Sequence, residues 1–344
     1  MSRTVNVVRL NLWIDQAFDE TLAADPNVKL DVIDIHAPAE EGLALLSKAH
    51  VYHVSAARDE VPAQWQVTDA LLERCPHLVC ASSSGAGYDT IDVDACNRAG
   101  VLVVNQSGGN ASSVAEMAIG LMLAVSRRIV ESTLRLRTET GMAREDLMGH
   151  QLDGKTLGIV GLGNIGTRTA HIAGAIGMKV LAYDPYLDAE ACRSRGAQKV
   201  ELSGLLAESD VVSLHCPRNS ETMGLFNRDV FMQMRPGAIF VTTARGGIHN
   251  EDDLILALQS GHLSGAGLDV WTTEPPPHGN PLLGMPNVVA TYHTAGVTHE
   301  ARRNMAAVAA QQILQVVRGE MPPRVVNKAA TEAYTARWQA VSTP

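Results

Sequence analysis

The 344-residue sequence predicts an α/β fold made of two doubly wound parallel sheets. Three observations predict it. The chain is too long for one ordinary core, and its 46% hydrophobic and 19% charged residues supply enough apolar material for two. Short apolar, β-branched runs alternate with helical periodicity in two separate series. A glycine-rich turn joins the first strand of the second series to a helix.

The first series places strands at Val5–Leu10, Leu30–Ile35, Val51–Val54, Leu78–Ala81 and Val101–Val104. Parallel strands need crossovers, which helices such as Asp69–Cys75 and Asp92–Ala99 provide. This series ends near Gln106. From Asn110 to about Arg127 a long helix carries Val114, Met117, Ala118, Leu121, Met122 and Val125 on one apolar stripe. Residues 129–151 are polar and aperiodic, which fits either a long loop with a short helix or an excursion toward another subunit.

The second series reads Thr156–Val160, Lys179–Tyr183, Val211–Leu214, Ala238–Thr242, Gly265–Asp269 and Val288–Ala290, a complete Rossmann-like nucleotide-binding domain in outline. The last helix, about Thr298 to Val317, is stopped by Gly319 and Pro322-Pro323. Val325-Val326-Asn327 then returns to the first domain and makes it discontinuous. The predicted domains are residues 1–106 with 298–344, and residues 107–297.

Composition excludes some classes of function. The formal net charge is −9 and no run of Lys or Arg forms a polyanion-binding stripe, so nucleic acid is not an expected partner. The N-terminus lacks a basic start and an apolar stretch, and no run reaches membrane-spanning length; a cytoplasmic protein is expected. Cys75, Cys80, Cys96, Cys192 and Cys216 show neither a C-x-x-C pair nor clustering with His, so they read as buried reduced thiols and no metal site is expected.

Strand Thr156–Val160 runs into Gly161-Leu162-Gly163-Asn164-Ile165-Gly166 and then a helix from Thr167 to about Ile176, which is G-x-G-x-x-G in its confirming context. Gly161 permits the tight turn, Gly163 lets backbone approach a pyrophosphate, and Gly166 lets helix and strand pack closely. The helix N-terminus offers its N–H groups to the phosphates. The following strand ends on Asp184, near the expected spacing of about twenty residues. That carboxylate suits ribose hydroxyls and repels a 2′-phosphate, while Pro185 and Tyr186 offer no cation; the expected cofactor is NAD rather than NADP.

Three polar residues follow strand ends of the second series: Arg245 in Ala244-Arg245-Gly246-Gly247, Glu274 before Pro275, and His293 before Thr294-Ala295-Gly296. Ligands of open α/β sheets sit beyond the carboxyl ends of strands, so the three can converge beside a nicotinamide. Hydride transfer to a keto acid needs a cation for its carboxylate or carbonyl and an acid for the developing alkoxide. Arg245 suits the first task and His293, paired with Glu274, the second.

These stretches, with Gly267-Leu268-Asp269-Val270, resemble the successive signatures of the D-isomer-specific 2-hydroxyacid dehydrogenases. The resemblance runs from about Gly85 to Ala301. It implies an NAD-dependent enzyme acting on a 2-hydroxy or 2-keto acid and, with the apolar stripe along Asn110–Arg127 as the extended surface, a homodimer. It also implies that the Ser84-Gly85-Ala86-Gly87 loop and Asn110 bind the substrate, and that Val114, Pro217, Thr222, Ala244 and Asp269 lie on the cofactor. Ser83 stands where many members carry an arginine, which counts against a second anion site such as one for a substrate phosphate. Tyr292 replaces the proline that usually precedes the catalytic histidine. His53 reads as structural and His249 as a helix-capping surface residue. An NAD-sensing scaffold resembling corepressors of the same fold is the alternative.

Overall fold

A computed structural model of the protein describes residues 4–342; residues 1–3, which belong to the N-terminal stretch read above, and residues 343–344 lie outside the described residues. Contacts divide the chain into residues 1–110 with 298–344, and residues 111–297.

The first unit is a five-stranded parallel sheet of β1 (Val5–Leu10), β2 (Val28–Ile33), β3 (Val51–Val54), β4 (Cys80–Ser83) and β5 (Leu102–Val104), in the order β2-β1-β3-β4-β5. β2 starts two residues before the apolar run because Val28 pairs with Val5 and carries exposed Lys29 into the ladder. β4 lies further along than its apolar residues suggest. Its Ser82 and Ser83 are fully buried beside His53 and Val54, so a polar pair occupies the strand while Leu78 and Val79 pack just ahead of it.

Helix Val93–Ala99 is capped by the Asp92 side chain and ends on Gly100 in the left-handed region at φ 67°. The chain returns through helix His299–Val317, whose Ala306, Ala309, Ala310 and Ile313 close the core under β1 and β5. Val326 then donates to the Val103 carbonyl, and the Asn327 amide bridges Val101 and Val103. A further helix, Thr331–Ser342, follows; the sequence reading ended its helices at Val317. Arg337 anchors it by donating to the carbonyls of Leu78, Ala99 and Pro76.

The second unit is a seven-stranded parallel sheet of β6 (Thr156–Val160), β7 (Lys179–Tyr183), β8 (Gln198–Lys199), β9 (Val211–Leu214), β10 (Ala238–Thr242), β11 (Leu263–Leu268) and β12 (Val288–Ala290). Its order is β12-β11-β10-β9-β6-β7-β8, with the reversal between β6 and β9. The two-residue β8 carries no apolar run, which is why pattern reading passes over it. Helix Ala111–Ser126 packs Ala118, Leu121 and Met122 into the core over β6 and β10.

Residues 129–151 contain a ten-residue helix, Ile129–Thr138, and a short 3₁₀ turn, Arg144–Leu147. None of the residues of Ile129–Thr138 is buried, and Arg128 and Arg135 pair with Glu131 and Glu139 along its surface. Among the described residues, no helix is long and apolar enough to cross a membrane. All five cysteines are unpaired; four are buried and Cys216 is half-buried.

Candidate active site

The glycine turn sits at the reversal of the seven-stranded sheet. Gly161 has φ 89°, and a Cβ there would meet the Cys216 backbone nitrogen at 2.7 Å. A Cβ on Gly166 would strike the Gly161 carbonyl oxygen at 2.2 Å, whereas one on Gly163 would meet nothing within 4 Å. Two glycines thus serve close packing, and the middle one leaves a cradle that a side chain would fill. Helix Asn164–Ala175 begins at this cradle, starting with Asn164 and Ile165 rather than at Thr167, and no side chain caps its Gly163 end. This suits a pyrophosphate accepting from the first N–H groups.

Asp184 ends β7 beside the turn. Its Oδ2 accepts from Leu162 N at 2.9 Å and its Oδ1 from Tyr186 N at 3.0 Å. A carboxylate offers about four acceptor positions, so two remain for ribose hydroxyls. Pro185 beside it is exposed. Past β9, the Thr222 hydroxyl donates to the Pro217 carbonyl at 2.6 Å and folds that loop back on itself. Val114 is buried in its helix, and Ala244 is buried just past β10. These residues fit a dinucleotide.

At the carboxyl ends of β10, β11 and β12 the three chemically suited residues come together. His293 Nδ1 lies 2.7 Å from Glu274 Oε2, and both side chains are partly exposed. Burial by itself raises the Glu274 carboxyl. The His293 hydrogen bond and charge, the Trp271 N–H at 3.0 Å and the Arg245 charge outweigh it and hold the group below the usual Glu range. Glu274 is therefore ionised near neutral pH and can only accept, so Nδ1–H donates and Nε2 is the nitrogen left to act.

Neighbouring elements fix this pair. Gly246 follows Arg245, and a Cβ on it would stand 1.8 Å from the Trp271 carbonyl oxygen, so only glycine lets the Arg245 loop lie against the Glu274 loop. Glu251 accepts from Thr272 N at 2.6 Å and from the Asn280 amide at 2.9 Å, tying down the segment that carries Glu274. His293 adopts φ 46°, an uncommon conformation for a residue with a side chain. Asp269 holds it there. Its carbonyl accepts from His293 N at 2.8 Å, and its buried carboxylate accepts from the Thr291 hydroxyl, Thr294 N and Ala295 N at 2.6, 2.9 and 3.0 Å. Tyr292, just before His293, is 61% exposed.

In the first unit the Ser84–Gly87 loop is pinned through its carbonyls. Gly85 O accepts from Gln106 N, Ala86 O from the Asn105 amide, and Gly87 O from the Ser83 hydroxyl, at 2.8, 2.7 and 2.5 Å. The Ala86 and Gly87 N–H groups donate to nothing among the described residues. Asn110 Oδ1 is buried without a partner.

His249 departs from its reading as a surface cap. It is 1% exposed and lies on the Phe240 ring, 5.5 Å between centroids, while the helix cap is the next residue, Asn250. Sequence reasoning also passed over Thr291, because a hydroxyl one residue past a strand carries no motif, and over Gly246 as a contact to Trp271. Among the described residues no group of His, Cys, Asp or Glu is placed to hold a metal ion.

Residues 119–295 match the model of the D-isomer specific 2-hydroxyacid dehydrogenase NAD binding domain. The chain is 39% identical over 272 residues to a D-3-phosphoglycerate dehydrogenase of Archaeoglobus fulgidus, covering 79% of this chain and 51% of that protein. It is 39% identical over 269 residues to a glyoxylate reductase of Thermococcus litoralis, covering 76% of this chain and 81% of the relative. The fold matches a D-lactate dehydrogenase of Aquifex aeolicus, complexed with NAD and lactic acid, with a TM-score of 0.79 at 28% identity, over 94% of this chain and 99% of that one. The chain thus spans about half the length of the phosphoglycerate dehydrogenase and most of the reductase. The matched domain contains the glycine cradle and Asp184, and its cofactor is NAD. With one model covering more than half of its residues and one relative matched over most of its length, this chain belongs to the D-isomer-specific 2-hydroxyacid dehydrogenase family.

Proposed function

We propose that the protein is an NAD-dependent oxidoreductase that interconverts a 2-oxo acid and the corresponding 2-hydroxy acid. In the reducing direction, 2-oxo acid, NADH and one proton give 2-hydroxy acid and NAD⁺. The observation that carries this reading is the 2.7 Å pair of His293 and Glu274 with the Arg245 charge acting on the same carboxylate. The bound cofactor supplies or takes the hydride. Arg245 binds and polarises the acid, and His293 Nε2 delivers the proton that the developing alkoxide needs. Glu274 fixes the imidazole tautomer, and Asp269 sets the turn that aims the ring.

The unpaired N–H groups of Ala86 and Gly87, with Ser84, Gly85 and Asn110, support a carboxylate-binding role for the first unit. Residues 1–106 with 298–344 act as the substrate domain and residues 107–297 as the cofactor domain. A panel of 2-oxo acids followed by NADH and NADPH absorbance tests the activity. Turnover with NADH and a lower kcat/KM with NADPH are expected; no turnover of any acid overturns the proposal.

A homodimer is part of the same reading. Ile129, Leu134 and Leu136 are 50%, 56% and 75% exposed on one surface helix. Ile129 and Leu136, seven residues apart, share a face of this helix, and exposed apolar residues of this kind suit a contact with a second copy. Light scattering at micromolar concentration is expected to give twice the chain mass, and a monomer would count against it. A cytoplasmic location fits the five unpaired thiols.

A further inference from the structure

The five-stranded unit holds a cavity of about 320 Å³ at the ends of β1 and β3, where its strand order reverses. Arg9 and Leu10 reach it from β1, His53 from β3 and Ser84 from the end of β4. In an open parallel sheet this reversal is where ligands bind. Ser84 also begins the loop proposed above to hold the substrate carboxylate, so a bound acid leads from that loop into the cavity.

Two residues that line the cavity, His53 and Arg302, each carry a polar atom that the protein covers and leaves without a partner. His53 is 4% exposed; its Nδ1 bonds Ser82 at 3.1 Å and its Nε2 has no partner. Arg302 enters from helix His299–Val317 and lies over the Trp13 ring at 5.7 Å from its centroid. Its buried Nε has no partner, and Arg302 forms no ion pair among the described residues.

The other cation of the cavity is already neutralised. Arg9 makes two bonds to Asp19, at 3.0 and 2.7 Å, and a third to the Leu10 carbonyl. Glu60, the carboxylate on the cavity rim, is exposed and bonded to the Ser55 hydroxyl at 2.5 Å. Arg302 is thus a stacked guanidinium with its donors directed to no protein anion.

We propose that this cavity determines substrate choice. Arg302 pairs with a second anionic group, a carboxylate or a phosphate, at the far end of the 2-oxo or 2-hydroxy acid. The intervening carbons pack on Leu12, Trp13 and Ile14. This rests on the function proposed above. The cavity has room for about ten water molecules at roughly 30 Å³ each, so a two-carbon acid leaves most of it wet.

The test compares full-length parent, Arg302→Ala and Arg302→Lys with four acids: 2-oxoglutarate, a 2-oxo acid ending in phosphate, uncharged 2-oxohexanoate, and glyoxylate. The parent is expected to prefer one of the two anionic acids, which identifies the group recognised. Arg302→Ala is expected to lower kcat/KM for that acid by about ten- to a hundredfold, the range of a charge-assisted hydrogen bond, and at least tenfold more than for 2-oxohexanoate. Arg302→Lys is expected to recover part of the loss. A parent preference for the uncharged acids, or an equal loss with all four, overturns the proposal. Calorimetric binding of 2-oxoglutarate and of the phosphate acid to the same proteins separates this inference from the activity. If nothing is turned over, binding to the parent that is lost in Arg302→Ala supports the cavity, and no binding to the parent refutes it.

Discussion

In the seven-stranded unit His293 and Glu274 are paired with each other and their loops are tied down by Asp269 and Trp271, whereas in the five-stranded unit His53 Nε2 and Arg302 Nε, on residues that line the cavity, have no partner among the described residues. Both sites occupy the carboxyl ends of parallel strands, the cavity at the reversal between β1 and β3 and the pair beyond β10, β11 and β12. The difference follows from their tasks. An acid–base pair works only if its geometry is set before substrate arrives, so Asp269, Thr291, Trp271 and Glu251 hold His293 and Glu274 in place. A specificity pocket works through charges completed only by the right ligand, and Arg302 at its wall has no ion-pair partner among the described residues.

The sharpest way to break this comparison is to remove the pre-set proton donor. His293→Asn keeps a polar side chain of similar reach and removes the titrating group. General acid–base catalysis is worth about a hundred- to ten-thousandfold, and kcat for 2-oxo acid reduction is expected to fall by that order. NADH binding, followed by fluorescence, is expected to stay near the parent value because the glycine cradle and Asp184 are untouched. Near-parent turnover in this variant would show that the paired site is not where the chemistry occurs.

The two regions also differ in how much of them the sequence displays. The cradle Gly161–Gly166, Asp184, Arg245, Glu274 and His293 each follow a strand end within a few residues, so a linear pattern records them. Arg302 cannot be read that way. It meets Trp13 only because the chain returns to the first unit after residue 297, and nothing near either residue announces the contact. The helix Ile129–Thr138 escapes for another reason: it buries no residue, so it has no inward stripe for periodicity to detect. His249 looked exposed because it is polar and precedes a helix, yet three phenylalanines, Phe226, Phe231 and Phe240, form the aromatic cluster against which it rests. Strand boundaries shifted where polar residues continue a ladder, as at Ser82 and Ser83.

Charge removal at Glu274 probes the paired site more gently. Glu274→Gln keeps the shape and takes away a carboxylate that accepts from His293 at 2.7 Å. Its loss replaces a charge-assisted hydrogen bond with a weaker neutral one, so kcat/KM for reduction is expected to fall. The acidic limb of the kcat/KM profile has its own sign. Because Glu274 sits below the usual Glu range, it stays ionised in the parent as pH falls through that range, so its protonation is expected to cost activity only at lower pH. A profile for Glu274→Gln that overlays the parent at every pH would remove Glu274 from the proton-transfer unit.

The smallest expected effect concerns an unpaired polar group outside both sites. His249 has no partner at either ring nitrogen, and burial pushes its titration down to about 4, opposed only in part by Glu251. In the unfolded chain a histidine titrates near about 6.5. Above that pH both states are neutral there and His249 has no pH-linked effect. As pH falls from about 6.5 toward 4 the unfolded state binds a proton that the folded state refuses, and stability is lost by up to about 1.4 kcal/mol per pH unit. His53, pushed to about 3, and His215, to about 4, act in the same direction, so the parent's thermal midpoint alone does not isolate one residue. His249→Phe isolates it, because the replacement extends the aromatic cluster at Phe240 and cannot titrate. At pH 7.5 the two proteins are expected to differ by less than about 1.5 kcal/mol, the usual range for a near-isosteric core exchange. At pH 5 the balance is expected to have moved toward His249→Phe by about 1 to 2 kcal/mol. Denaturant unfolding at both pH values measures the two differences, and a gap between the proteins that does not change with pH would show that His249 is not the buried, neutral group described here.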